Sequence, residues 1–360
     1  MMPKSQRGAV LIMVLWTAVV LTVLVTVLAT NIRLGATTAL RHKEGVSNYA
    51  DIMTAMNQAE MELMLERMPL PLDEEPVLND WGEVRMSTYR FNGQPLSLHY
   101  PAPENMVVRI YDHAGKINLN RIEVRRLQQI IETRLGPDFD PRQVQELLAA
   151  WNDWTDLNEL ITPGGAEAEY YQTLDPPYTP RNSPDLESVD EILLIRGFAE
   201  LFEGVNLEAA FTVYGNEAVV NPNMATREAL MLLPGMEEEL AEQIIAYRQH
   251  RDLRTMREVG ALIPLENMVE LSPWLGFTAS SIYSVYVYPA LETANAEQES
   301  QRTDEDISAV EDPVRQGYMQ IMQVESFNQR ARVRNVDPYA MLPDTAPPRA
   351  ELPPGLLRVD

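Results

Sequence analysis

The sequence predicts an α+β protein: one very long N-terminal helix joined to a small antiparallel sheet, with the sheet interrupted by a large α-helical insert. Three observations predict it. A charge-free apolar run over 9–29 continues, almost without helix breakers, to residue 67. Segments rich in β-formers sit at both ends of the body. The stretch between them has helical periodicity, so strands bracket helices instead of alternating with them.

The totals limit what such a protein can do. A chain of 360 residues allows two or three domains, and 45% hydrophobic residues are enough for real cores. The formal net charge of −24 repels phosphate backbones, which makes nucleic acid a poor default partner and suits divalent cations or a basic partner. There is no cysteine. If the chain is exported, its stability rests on packing or metal, because no disulfide is available. The histidines His42, His99, His113 and His250 form no HxxxH or HxH pair, which argues against zinc. With no G-x-S-x-G, no phosphate loop and no paired histidine, a structural role is expected rather than an enzyme.

The N-terminal element begins with MMPKSQRG, basic at Lys4 and Arg7, followed by 21 uncharged residues over 9–29. At 1.5 Å per residue the run spans roughly 30 Å, the thickness of a bilayer core. The preceding basic residues predict the N-terminus inside and the C-terminus outside. Three readings compete. A cleaved secretory signal has a shorter core and an A-x-A-like site, neither of which is present. A plain signal anchor is the second. The third starts from Gly8: Arg-Gly followed directly by an apolar helix resembles the prepilin-peptidase site of type IV pilins and pseudopilins. That resemblance implies a leader over 1–8, cleavage after Gly8, and Ala9 as the methylated mature N-terminus. Over 30–68 the helix continues in an amphipathic pattern, with Ile52, Met53, Met56, Ala59, Leu63 and Met64 near helical spacing, until Pro69 and Pro71 end it. A helix of about 55–60 residues is unusual in a soluble domain, and half in lipid and half outside it is pilin-like. Most pilin-like proteins carry a glutamate at the fifth mature position. Here that position is Met13, a departure known in protein K of the type II secretion pathway.

In the body, strands are expected at 83–91, 106–112, 211–220 and 281–288. Helices are expected at about 122–135, 141–151, 188–196, 225–233, 237–250 and 256–263. This divides the chain into a first part of the sheet over 69–121, an α-helical insert with an acidic loop over 122–210, and a strand region over 211–223. A two-helix module over 224–275 and a final strand region over 276–290 follow. Residues 291–360 read as a largely disordered tail: an acidic, polar linker over 291–312, a strand or short helix within 317–334, and proline-rich sequence from Asp337.

Three stretches carry chemistry or resemblance. Asp112-His113-Ala114-Gly115-Lys116-Ile117-Asn118-Leu119-Asn120 reads as a strand–turn–helix corner, with Asn120 as N-cap of the next helix. Oxygen-bearing side chains crowd 153–169, across a Pro-Gly-Gly turn at 163–165. Calcium takes six to eight oxygens, which a loop folded on itself can supply. No EF-hand pattern is present, and a solvated acidic loop is the competing reading. Asn221-Pro222-Asn223-Met224-Ala225, then Leu233-Pro234-Gly235 and Ala241-Glu242-Gln243-Ile244-Ile245-Ala246-Tyr247-Arg248, form a helix-hairpin-helix (SAM-like) signature. In DNA-binding versions the turn meets phosphate at a helix N-terminus. Here Glu237, Glu238 and Glu239 sit on that spot, and over 221–271 five arginines face nine acidic residues, so the hairpin reads as a packing unit.

In this order, D-x-x-GK-IN-x-N, D-W-x-D-x-N with GAE-x-x-YY, S-V-D-E-I with Gly197, and the hairpin resemble the general secretion pathway protein K family of minor pseudopilins over about 1–290. The resemblance implies a structural subunit at the tip of the periplasmic pseudopilus, anchored in the inner membrane by a single span. It implies partners of the I and J type through the N-terminal helix, with the secretion channel or an exported substrate as further contacts. It also implies calcium, with Asp153, Asp156, Asn158, Glu167 and Glu169 as candidate ligands, although Ala168 stands where the family often has an acidic residue. The alternative is a single-span helix-hairpin-helix DNA receptor of the competence type, which the hairpin's charge opposes.

Overall fold

The structure is a computed structural model and describes residues 6–68, 89–290 and 316–343, with side chains from Leu11 onward. The chain divides into two units at the Thr54–Ala55 step.

The first unit is helix. α1 runs Gln6–Glu66, 61 residues, and the apolar side chains from Leu11 to Leu28 are exposed along it. The hydroxyls of Thr22, Thr26 and Thr30 each donate to the carbonyl four residues back at 2.8 Å. Polar groups in the apolar run are thus satisfied within the helix, as a lipid environment demands. By length and composition α1 is a candidate single membrane span.

The second unit begins on the last turns of α1. Ala55, Met56, Ala59 and Leu63, spaced three and four apart, are buried. Between them sits buried Glu62, which accepts from Arg90 Nη1 at 2.7 Å, His99 N at 2.8 Å and His99 Nδ1 at 2.9 Å. Three donors make burial of that carboxylate tolerable and tie the following segment to the helix.

Next come β1 (Asn92–Pro95) and β2 (Met106–Asp112), then a long excursion. It holds β3 (Ile117–Asn118), α2 (Val124–Leu135), α3 (Pro141–Thr155), α4 (Ala168–Tyr171), α5 (Phe198–Leu201) and α6 (Leu207–Ala210). It continues through β4 (Phe211–Thr212), α7 (Arg227–Met231), α8 (Glu238–Arg248), α9 (Met256–Leu262) and α10 (Leu265–Leu271). The chain returns on β5 (Ile282–Pro289), and β6 (Gln316–Gln323) and β7 (Arg332–Met341) complete a five-stranded antiparallel sheet of order β1-β2-β5-β6-β7. β3 and β4 form a separate two-stranded parallel pair.

β2 and β5 are direct neighbours, with Asp112 opposite Tyr283, so the insert leaves and re-enters the sheet at one end. Asp112 clasps that neck: its carboxylate accepts from Ala114 N at 2.8 Å and Ser280 N at 3.1 Å. Burial pushes its carboxyl up to about 6. Beside it His113 bonds Thr212 Oγ1 at 2.7 Å and Ser284 Oγ at 2.8 Å, and Lys116 Nζ donates to Glu208 O at 2.6 Å. Burial lowers the Lys116 ammonium to about 8.

Of the strand expected at 83–91, residues 83–88 lie outside the described ones and 89–91 are not strand; β1 begins at Asn92. Other expectations need correction. The strand expected at 211–220 shrinks to Phe211–Thr212, because the chain turns at Gly215 (φ 87°). The helix expected at 188–196 is a 3₁₀ segment, Val189–Leu194, with no side-chain cap from Ser188. The tail expected over 291–360 supplies two strands within 316–343; 291–315 and 344–360 lie outside the described residues. Asn120 caps no helix either. Glu123 holds the N-cap position of α2, while the Asn120 amide bonds Leu186 O, Val213 O and Leu186 N, joining three segments of the insert.

Candidate metal centre

α3 delivers the first residue of the site. Asp140 caps it, accepting from Arg142 N at 2.9 Å, with Pro141 in the first turn. Val144, Leu147, Ala150, Trp151 and Trp154 bury one face in the core of the insert. Asp153 lies on the same inward side at 0% exposure. A carboxylate buried in the last turn of a helix meets both desolvation and the negative end of the dipole. Thr162 N, donating at 3.1 and 3.2 Å, offsets part of that cost.

Past α3 the loop folds back through two side-chain turns. Asp156 Oδ1 accepts from Asn158 N at 2.9 Å, and Asn158 Oδ1 from Leu160 N at 2.8 Å. The return passes Gly165, where a Cβ would lie 2.0 Å from Asp153 Oδ2; only glycine fits against that carboxylate. Glu167 follows, immediately before α4, at 3% exposure. Ligand oxygens of Asp153, Asp156 and Glu167 lie within 4.8 Å of one another. Among the described residues neither Glu167 carboxylate oxygen has a hydrogen-bond partner. Burial first, and then the charges of Asp153, Asp156 and Glu159, raise its carboxyl above the usual range.

The frame around this group is well bonded. Arg196 donates to Gly165 O at 3.0 Å and to Gly164 O, and its guanidinium carbon lies 5.4 Å from the centre of the Tyr170 ring. Trp154 meets Tyr171 edge-on at 5.2 Å. Glu191, also buried, accepts from Trp154 Nε1 at 3.0 Å, Arg181 Nη1 at 3.1 Å and Glu187 N at 2.8 Å. Two buried glutamates thus stand in one insert: among the described residues Glu191 has three donors, and Glu167 has none. Hard oxygens converging on a pair of bare, buried lone-pair sites fit a divalent cation of the calcium type.

Of the five ligands expected from sequence, the structure brings together Asp153, Asp156 and Glu167. Asn158 is exposed and its side-chain oxygen serves the turn. Glu169 is exposed on α4 and stands outside the group. Sequence reasoning missed Arg196 and Glu191, which frame the site from about thirty residues downstream, where spacing gives no signal. Gly8 and Ala9 lie in α1, and their surroundings are outside the described residues.

The helix pair α7–α8 turns through Leu232–Glu237, with Gly235 at φ 74°. Its arginines are engaged internally. Arg227 pairs with Glu238 and with Glu242 at 2.9 Å, and Arg248 donates to Pro222 O at 3.0 Å and Ala225 O. Glu237, Glu238 and Glu239 are exposed at the start of α8, so a phosphate there meets negative charge. Asn223, from the N-x-N segment, pairs with the backbone of Leu253 in both directions, 2.7 Å each way.

Residues 115–202 match the family model for type II secretion system (T2SS), protein K, first domain. The matched segment holds all three gathered carboxylates. No curated protein matches the chain. Among solved structures, the GspK-GspI-GspJ complex from the type 2 secretion system of enterotoxigenic Escherichia coli is similar to it, with a TM-score of 0.48 at 14% identity. That match covers 81% of this chain and 97% of the other.

Proposed function

We infer that this chain is a minor pseudopilin of a type II secretion system, of the protein K type. The observation that carries the reading is the family match over 115–202, lying on an insert that leaves and re-enters a small sheet, in a chain whose sequence opens with a 61-residue helix. The apolar part of α1 anchors the chain in the inner membrane. Lys4 and Arg7 keep the short leader in the cytoplasm, which leaves the folded unit in the periplasm. Prepilin peptidase removes 1–8 and leaves Ala9 as the mature end. The helix then packs with the helices of I- and J-type minor pseudopilins. Met13 replaces the glutamate that pairs with a neighbour's N-terminus, which suits a subunit with none above it at the tip. The acidic folded unit faces the secretion channel or an exported substrate. The α7–α8 pair is a helix-hairpin-helix used for packing.

Calcium belongs to this reading, held by Asp153, Asp156 and Glu167. The contrast between the bare Glu167 and the saturated Glu191 supports it. When bound, the ion supplies the positive charge that three converging carboxylates lack. The residues themselves close the loop: Thr162 N holds Asp153, and Arg196 holds the Gly164–Gly165 turn.

The test is co-assembly. The full-length chain, expressed with the I- and J-type pseudopilins of its own system and extracted in detergent, should co-purify with both. Its deletion should abolish export of the system's substrates while leaving them folded in the periplasm. Normal export in the deletion strain would sink the proposal.

A further inference from the structure

The five-stranded sheet ends on β7, and no strand among the described residues pairs with its outer edge. Such an edge is a row of unpaired N–H and C=O groups, a template for another strand. Here the strand's own side chains stand in for a neighbour's carbonyls. Asn335 Oδ1 accepts from Val336 N at 2.8 Å, and Asp337 Oδ1 from Tyr339 N at 2.9 Å. Pro338 interrupts the row of donors, so the stretch suited to pairing is 332–336, Arg-Val-Arg-Asn-Val. All five residues are exposed, and Val333 and Val336 keep 48% and 42% of their surface in solvent. Charge sets this edge apart. The chain has a formal net charge of −24, yet over 326–343 Arg330, Arg332 and Arg334 stand against Asp337 alone. Arg330 is drawn back to Glu60 on α1 at 3.3 Å, and Arg334 Nε donates to Gln323 Oε1 at 2.9 Å. Arg332 has no ion pair or hydrogen bond among the described residues. It lines a small cleft with Gln323, Gln329, Arg330 and one carboxylate, Glu325.

We propose that residues 332–336 of β7 are a docking strand for an extended, acidic segment of a partner protein, which adds to the sheet as a sixth strand. In this mode main-chain hydrogen bonds supply the attachment and side chains select the partner. Carboxylates on the incoming strand meet Arg332 and Arg334, and one of them fits the cleft beside Arg332. An incoming carbonyl replaces Asn335 Oδ1 at the Val336 N–H, so docking exchanges a local bond for one in a ladder. A second copy pairing antiparallel through the same five residues would set Arg334 opposite Arg334, and like charges directly opposite destabilise a strand pair. A basic segment meets the same repulsion. At physiological salt the Debye length is about 8 Å, so the arginines at hand outweigh the more distant acidic surface of the chain. The inference stands apart from both the assembly reading and the metal reading, and its test needs only the purified chain.

The test uses the full-length chain in detergent and a capped fluorescent peptide of alternating threonine and glutamate, read by anisotropy. Wild type should bind it saturably, and added salt should weaken binding. The same peptide with lysine in place of glutamate should bind about tenfold more weakly or worse. So should the glutamate peptide with every backbone nitrogen methylated, which keeps the charge and loses the donors. Arg332→Glu combined with Arg334→Glu should raise Kd about tenfold or more at unchanged melting temperature. Val336→Pro removes the amide that the incoming carbonyl needs, on an edge that already carries Pro338, and should raise Kd similarly. Equal binding of methylated and unmethylated peptides means contact by charge alone and overturns strand addition. No binding by wild type overturns the proposal outright, as does an unchanged Kd in the double arginine variant. A chain that sediments as a dimer and is dissociated by Val336→Pro places a second copy on the edge, which overturns the acidic occupant. Should Val336→Pro fail to fold, the methylated peptide carries the backbone test and the arginine variant the charge test.

Discussion

Chelation of calcium should loosen the insert by a predictable amount. The ligand oxygens of Asp153, Asp156 and Glu167 lie within 4.8 Å of one another. Two unit charges at that distance repel by about 3.5 kcal/mol at an effective dielectric constant of ~20. Burial first, and then its acidic neighbours, hold the Glu167 carboxyl above its usual range. The raised folded-state pKa sets the sign. Glu167 contributes stability at low pH and loses it as pH rises through its folded pKa, so the ion matters most at neutral pH. With calcium about 100-fold above Kd, linkage adds about 2.7 kcal/mol. For a folded unit of this size each kcal/mol moves the midpoint by about 2–4 °C, so the expected rise is roughly 5–10 °C. The assay is differential scanning calorimetry of the detergent-purified full-length chain in EGTA, in calcium and in magnesium. Magnesium, which keeps its waters and demands octahedral geometry, should give a smaller rise. A midpoint unchanged by calcium, together with no metal by elemental analysis, would refute the reasoning.

Other expectations concern the same folded unit. Gly165→Ala drives a Cβ toward Asp153 Oδ2, so the calcium-induced rise should disappear in the same scans while the chain still folds. Glu62→Ala leaves Arg90 and the His99 amide without their buried acceptor and should cost about 2–3 kcal/mol in denaturant unfolding; a loss under about 0.5 kcal/mol would show that the clasp is dispensable. Asp112, raised from 3.8 to about 6, favours folding most below its unfolded pKa and loses that contribution as pH rises through about 6. Asp112→Asn should therefore gain stability relative to wild type between pH 4 and pH 7, by up to about 3 kcal/mol. A pH-independent difference between the two proteins would contradict the burial argument.

Much of this was legible in the sequence, for identifiable reasons. α1, α2 and α3 follow from periodicity, and the end of α1 from the stop signals Pro69 and Pro71. β2 and β5 follow from dense β-branched and aromatic residues. β6 was harder to see. Its sequence, QGYMQIMQ, mixes glutamine with methionine, and Gln320 is buried, so the usual inward–outward alternation is blurred. β7 is exposed along most of its length and carries Pro338, which an edge strand tolerates. The carboxylates were legible because Asp153 and Asp156 lie at one helix end and Glu167 on the return of the same loop. Glu169 lies in α4, exposed and outside the gathered group, one turn from Glu167. Arg196 and Glu191 could not be read, because their roles depend on how distant segments meet.

The central claim is that this chain is a processed pseudopilin, and the most direct test is the intact mass of the mature protein from its own host. The account predicts loss of residues 1–8 and a methylated Ala9 at the N-terminus, with Gly8→Ala retaining the full leader. A mature chain that still begins at Met1 or Met2, one cut elsewhere, or a Gly8→Ala variant processed as wild type would contradict it.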